Sequence, residues 1–151
     1  LNAQRDWGHA KDYVEAMWLI LQQDVAEDYV IATGITTEVR QFVKMTFAEA
    51  GIELEFKGKD EDEKGYVVSC SNPDVQLKPG TEVVSVDPRY YRPTEVELLI
   101  GDPTKAKTKL GWQPKYDLNA LVKEMVQADL DIFRREKMLK EQGFQVRNQY
   151  E

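Results

Sequence analysis

Arg92, Pro93, Thr94 and Glu95 place a guanidinium and a carboxylate on either side of a Pro-Thr pair, directly after the adjacent tyrosines Tyr90 and Tyr91. Proline suits the first position of a helix, where its missing N–H costs nothing, and an acid in the first turn suits the helix dipole. The spacing therefore predicts a short helix starting near Pro93. Arg92 just before it would aim a planar fork of donors at a phosphate or carboxylate beside the helix N-terminus. The plainer reading is helix capping plus a surface ion pair of little energetic worth, and spacing alone leaves both open.

Little else in the chain offers chemistry. His9 is the single histidine, which excludes histidine-rich metal sites and reads as a loop or helix-start residue. Cys70 is the single cysteine, so no intrachain disulfide forms, and its position at the end of an apolar run reads as a small half-buried strand residue. Residues 58–65 (GKDEDEKG) hold six consecutive charges between two glycines. They lack the spacing and closing Glu of a calcium loop and read as a solvated loop. There is no glycine-rich turn for a dinucleotide or triphosphate and no Tyr-x-x-x-Lys pair, so the expected catalytic, cofactor-binding and metal-binding sets are all empty.

The elements that must position Arg92 and its neighbours follow from periodicity. Tyr13, Met17, Ile20 and Leu21 define one face of a helix over residues 10–22. Residues 29–33 (YVIAT), ended by Gly34, predict a buried strand. Thr37 is the expected cap of a second helix with Val39, Phe42, Val43 and Phe47 inward and Gly51 as its stop. Leu54 and Phe56 alternate with charges as in a half-exposed strand, and residues 66–70 and 81–86 predict two more strands across turn-rich sequence. Asp102, Pro103 and Gly111 bracket a short helix, and Asp117 caps a long one with Leu121, Met125, Ala128 and Ile132 on its stripe and Gly143 at its end.

The 151 residues carry 20 basic and 27 acidic side chains, a formal charge of −7 with both signs interspersed, which argues against a nucleic-acid surface. No run of about 18 apolar residues predicts a membrane span, and a cytoplasmic location is the default expectation. One domain over residues 1–151 is expected, of α/β class, with helices on a small mixed sheet. The opening LNAQRDWG, without Met, reads as the middle of a longer polypeptide.

Four blocks carry a resemblance: residues 5–14 (RDWGHAKDYV), residues 31–34 (IATG), residues 87–97 (DPRYYRPTEVE), and residues 101–106 (GDPTKA) with Leu110-Gly111-Trp112. Together they resemble the C-terminal, substrate-binding part of the GDP-mannose 4,6-dehydratases, in the extended short-chain dehydrogenase/reductase group, from Arg5 to about Gly143. The resemblance implies that Arg5, Arg92 and Glu95 bind GDP-mannose, with Glu95 on a sugar hydroxyl or orienting an arginine. It also implies NADP as the cofactor of the full-length enzyme, oxidation at C4, loss of water across C5 and C6 and reduction at C6, and a homo-oligomer. The Rossmann part and the catalytic residues of the family are missing from these 151 residues, so the chain alone is expected to be inactive. The alternative is a stand-alone α/β binding or interaction module in which Arg5, Arg92 and Glu95 are structural ion pairs.

Overall fold

The computed structural model describes residues 1–92, 94 and 96–146. In chain order the elements are β1 (Gln4–Asp6), α1 (Ala10–Leu21), β2 (Thr36–Glu38), α2 (Val39–Glu49), β3 (Ile52–Lys57), a 3₁₀ turn (Asp60–Asp62), β4 (Lys64–Cys70), β5 (Glu82–Ser85), β6 (Leu98–Leu99), α3 (Thr104–Leu110) and α4 (Leu118–Glu141). Strands form two three-stranded sheets, a mixed one in the order β2-β1-β6 and an antiparallel meander β3-β4-β5. In the mixed sheet β1 is central, antiparallel to β2 with Arg5 opposite Thr37, and parallel to β6 with Arg5 opposite Leu99. The α/β class holds, with the strands shared between two small sheets.

The core joins helices that are distant in sequence. Ala16 of α1, Ala106 of α3 and Trp112 are buried together, with Tyr13, Leu19, Tyr29, Ile31 and Leu110 packed around them. The Trp112 indole N–H donates to the carbonyl of Asp12 at 2.9 Å, and the Asp12 carboxylate accepts from the backbone N–H groups of Lys115 and Tyr116, both at 3.1 Å. The 1% exposed Asp12 thus fixes the entry to α4 against the first turn of α1. Gly101 allows the chain to cross residues 30–32, since a Cβ there would lie 2.5 Å from that of Ala32. Gly8 is under similar pressure from the Tyr13 ring.

Several expectations change. Residues 29–33 pair with no strand among the described residues. Their apolar side chains are used instead on the α1–α3 core, where Tyr29 and Ile31 pack, while Thr33 N–H is taken by Asp6. The α1 helix lies as predicted but packs a different face: Asp12 and Ala16 are buried, whereas Met17 and Leu21 of the expected stripe are 61% and 80% exposed. In α4 the buried residues are Leu121, Val122 and Val126, and Met125 is exposed. Thr37 lies in β2, and Glu38, without a side-chain capping bond, precedes α2. The local stops are as read: Gly51, Gly111 and Gly143 all have positive φ, and Asp117 accepts from Ala120 N–H at 2.8 Å. Asp102 accepts from Thr104 N–H at 2.9 Å at the start of α3.

The acidic loop is less solvated than its sequence implies. Its Glu63 is 2% exposed and accepts from the Arg40 Nε–H, while Arg40 also pairs with Glu38 and donates to Asn2 Oδ1. The described residues contain no cluster of His, Cys, Asp and Glu able to hold a metal. Cys70, half-buried at the end of β4, directs its thiol at the Val75 carbonyl.

Candidate functional site

Arg5 stands on the central strand of the mixed sheet, and its position is set by backbone. Its Nη1 donates to the carbonyls of Gln4 and Val96, each at 2.8 Å, so the guanidinium bridges β1 and the segment leading into β6. Gln4 N–H donates to Glu97 carbonyl at 2.7 Å beside it. Arg92 reaches the same place from the other side. Arg5, Tyr90, Tyr91, Arg92 and Glu97 line one recess of about 370 Å³.

The segment carrying Arg92 is not helical among its described residues. A turn at residues 88–90 leads into irregular chain at Tyr91 and Arg92, and the next element is β6. The reason lies in strand pairing. Gln4 N–H takes the Glu97 carbonyl, the Arg5 guanidinium takes that of Val96, and Leu98–Leu99 pairs with β1, which commits this chain to an extended course. Glu95, like Pro93, lies outside the described residues. Arg5 and Arg92 border one recess, Arg5 from the central strand and Arg92 from irregular chain after the turn.

The turn before Arg92 is built locally. Asp87 Oδ1 accepts from Arg89 N–H at 2.9 Å, and its carboxylate takes the Arg89 guanidinium at 2.6–3.1 Å. The guanidinium and backbone N–H of Arg89 hold the Asp87 carboxyl below its ordinary range. The Arg89 guanidinium also lies 5.7 Å from the centre of the Tyr90 ring, which is 78% exposed. Asp87 is thus spent within the turn, while Arg92 is exposed and has no carboxylate partner among the described residues. A tyrosine-edged recess with two arginines, with Glu97 and Asp60 also on its wall, can bind an anionic group at its arginines.

Residues around the site are fixed by groups that sequence reading passed over. Asp6, next to Arg5, accepts from Thr33 N–H and hydroxyl at 3.0 and 2.7 Å and from Gly34 N–H at 2.8 Å, pinning the loop ahead of β2. Trp7 stacks on Phe42 with centroids 4.2 Å apart and donates to Thr37 carbonyl. His9 caps α1, its Nδ1 accepting from Lys11 N–H, and its buried ring stacks on Tyr116 and meets Glu124 at 3.3 Å. That agrees with a structural helix-start histidine. A second recess, of about 270 Å³, lies between Trp7, Thr33, Ile35, Pro114 and Tyr116. Only the density of the RDWGH block hinted at these roles, because apart from the Lys11 N–H on His9 every partner lies at least 27 residues away.

A family model described as GDP-mannose 4,6 dehydratase matches residues 1–125. A Vibrio cholerae protein named GDP-mannose 4,6-dehydratase is 50% identical over 147 residues, covering 97% of this chain and 40% of that protein. Relatives named GDP-mannose 4,6 dehydratase in Dictyostelium discoideum and Homo sapiens are each 52% identical over 134 residues, 89% of this chain, and cover 35% and 34% of those proteins. The chain thus spans about two fifths or less of the length of these relatives.

Proposed function

The chain belongs to the GDP-mannose 4,6-dehydratase family, and we propose that it is the C-terminal, nucleotide-sugar-binding portion of such an enzyme, with GDP-mannose as its ligand. The observation that carries this reading is the convergence of Arg5 and Arg92 on one recess from opposite ends of the sequence. A diphosphate prefers the planar, bidentate donors of arginine, held rigidly and partly desolvated. Arg5 is pre-positioned by two carbonyls, which lowers the entropy lost on binding, and Arg92 supplies a second charge at the rim. Glu95 belongs to the same proposed set, on a sugar hydroxyl or an arginine.

The full-length enzyme would be an NADP-dependent lyase of the short-chain dehydrogenase/reductase group, converting GDP-D-mannose to GDP-4-dehydro-6-deoxy-D-mannose, cytoplasmic and homo-oligomeric. NADP supplies the hydride chemistry when bound. This chain has no glycine-rich turn for its pyrophosphate and no Tyr-x-x-x-Lys pair, so its own residues bind and orient the nucleotide sugar and perform no proton or hydride transfer. A Rossmann portion supplied by the rest of the polypeptide would hold the cofactor. No helix among the described residues is long and apolar enough to cross a membrane.

The side of α1 turned away from the core supports a missing packing partner. Val14, Met17, Trp18 and Leu21 are all at least 60% exposed there. An apolar area of this kind on a single helix is a contact surface. The isolated chain is expected to bind an environment-sensitive hydrophobic dye or to self-associate in sedimentation. A compact monomer that does neither would remove the support.

Calorimetric titration with GDP, GDP-mannose and UDP tests the ligand assignment. Binding of both guanine compounds without UDP is expected; no binding of any of them by the chain or by the longer polypeptide would overturn it. Arg92→Ala is expected to weaken GDP-mannose binding by about 1.5–3 kcal/mol, the range for hydrogen bonds to charged groups. An unchanged affinity removes Arg92 from the site.

One observation favours the stand-alone module. The Arg5 guanidinium ties β6 to β1 through Val96 carbonyl, which a purely structural arginine would also do. Arg5→Ala separates the two: loss of stability with unchanged nucleotide affinity supports the module, and loss of affinity in a protein that still folds supports the enzyme portion.

A further inference from the structure

His9 is buried, and both of its ring nitrogens are engaged. Nδ1 accepts from the Lys11 N–H at 3.1 Å, which caps the first turn of α1. Nε2 faces a carboxylate oxygen of Glu124 on α4, 3.3 Å away. A neutral imidazole has one N–H and one bare nitrogen, and only the bare one accepts. The hydrogen of neutral His9 therefore sits on Nε2, directed at Glu124. Tyr116 holds the ring from one side, stacked with centroids 4.3 Å apart. One side chain joins two helices distant in sequence and has a different task at each nitrogen.

Among the described residues, the charged and titratable groups in contact with this ring come from three places: Lys11 on its own helix, Tyr116 ahead of α4, and Glu124 on α4. The Lys11 ammonium bonds both Glu124 oxygens, at 2.7 and 3.0 Å, and lies 5.4 Å from the centre of the Tyr116 ring. Asp12, in the same turn, gives its carboxylate to the N–H groups of Lys115 and Tyr116. The Lys115 ammonium is taken by Glu15 at 2.5 Å. Glu124 is the anion at the ring, and it is shared with Lys11.

Imidazole is the side chain whose charge changes between about pH 8 and about pH 5. With Nε2 already carrying hydrogen, an added proton goes to Nδ1. Two donors, Nδ1–H and the Lys11 N–H, then face each other, and the cap is lost. At the opposite nitrogen the bond to Glu124 becomes an ion pair of imidazolium and carboxylate, stronger than before. We propose that His9 is a proton-operated joint between α1 and α4, which on protonation releases the cap of α1 and forms an ion pair with Glu124. The two changes oppose each other in energy, so the joint alters local structure more than overall stability. Opening the first turn reaches Asp12, and through it the chain at Lys115 and Tyr116 that walls the recess facing Trp7.

His9 is the only histidine of the chain, so every imidazole signal in a ¹⁵N NMR titration belongs to it. At neutral pH the bare nitrogen is expected to be Nδ1. As His9 takes up its proton, exchange of the Lys11 amide, corrected for its intrinsic pH dependence, is expected to quicken about fivefold, the equivalent of one lost cap. His9→Asn keeps an acceptor at the cap at every pH, and its Lys11 amide is expected to show no such transition. Glu124→Gln, at a side chain 47% exposed, removes the compensating ion pair and keeps the fold. Its unfolding midpoint is expected to fall by about 2–4 °C more than that of the unsubstituted chain over the same pH range. A neutral ring with its hydrogen on Nδ1, or a Lys11 amide that stays protected while His9 titrates, would overturn the joint. So would an acid response in Glu124→Gln equal to that of the unsubstituted chain.

Discussion

Trp112→Ala is expected to destabilise the chain by about 3–5 kcal/mol, the range for removing a fully buried tryptophan side chain. Trp112 is 1% exposed and fills the space between Ala16 and Ala106, two residues too small to close over its absence. The cavity term therefore adds to the lost transfer energy. The Asp12 carbonyl would lose its indole donor as well. For a chain of this length the change corresponds to a fall in the unfolding midpoint of roughly 10 °C. Denaturant unfolding read by circular dichroism measures it. Trp112→Phe separates the contributions, since it keeps most of the packing and is expected to lose about 1 kcal/mol for the hydrogen bond. A loss under 1 kcal/mol for the alanine variant would mean that α1 and α3 are not held through this residue.

Arg40→Met is expected to cost about 3 kcal/mol, the low end for breaking a buried ion pair, because a quarter of the arginine side chain is exposed. The variant leaves the Glu63 carboxylate, 2% exposed, without its guanidinium partner. Burial alone would push the Glu63 carboxyl upward, but the bonded Arg40 guanidinium opposes it, and the carboxyl lies below its ordinary range. The sign of the pH dependence follows. A depressed carboxyl contributes stability that is complete above the unfolded glutamate value, about 4.3, and lost as pH falls through the lowered folded value. The gap between Arg40→Met and the unsubstituted chain should therefore be largest at neutral pH and shrink on acidification. The double variant Arg40→Met, Glu63→Leu is expected to recover much of the loss, because no unpaired charge stays buried. Unfolding at pH 7 and pH 3 checks both points, and an equal gap at the two would show that Glu63 is not ionised in the folded chain.

Both residues illustrate what the tertiary structure decided. Trp112 follows a Leu-Gly element that sequence reading recognised, yet nothing local says that its N–H meets a carbonyl 100 residues earlier. Glu63 sits in a run of six charges that reads as solvated, and its burial depends on Arg40 of α2. The same reasoning covers the faces of α1 and α4. Helical spacing gave the right helices, but amphipathic periodicity cannot say which apolar stripe meets a neighbour when two stripes are available. In α1 the apolar residues spread over more than one face; the Ala16 side packs, and Met17, Trp18 and Leu21 face outward.

By itself, the sequence determined everything that rests on contacts within a few residues. The stops at Gly51, Gly111 and Gly143, the cap at Asp117, the Asp102 bond to Thr104 N–H one residue ahead of the Pro103 capping position, and the alternation of Leu54 and Phe56 depend on backbone conformation and neighbouring N–H groups, which travel with the local chain. The motif blocks also sufficed for the family, since the RDWG and RPTE blocks carry it without any coordinates. Only the tertiary structure decided that the described residues after Arg92 run into β6 and not into a helix. That outcome depends on carbonyls at Val96 and Glu97 being claimed by Arg5 and Gln4, ninety residues away. Pairing with a strand ninety residues away is invisible in a window of sequence, and here it prevailed over the local helix signal.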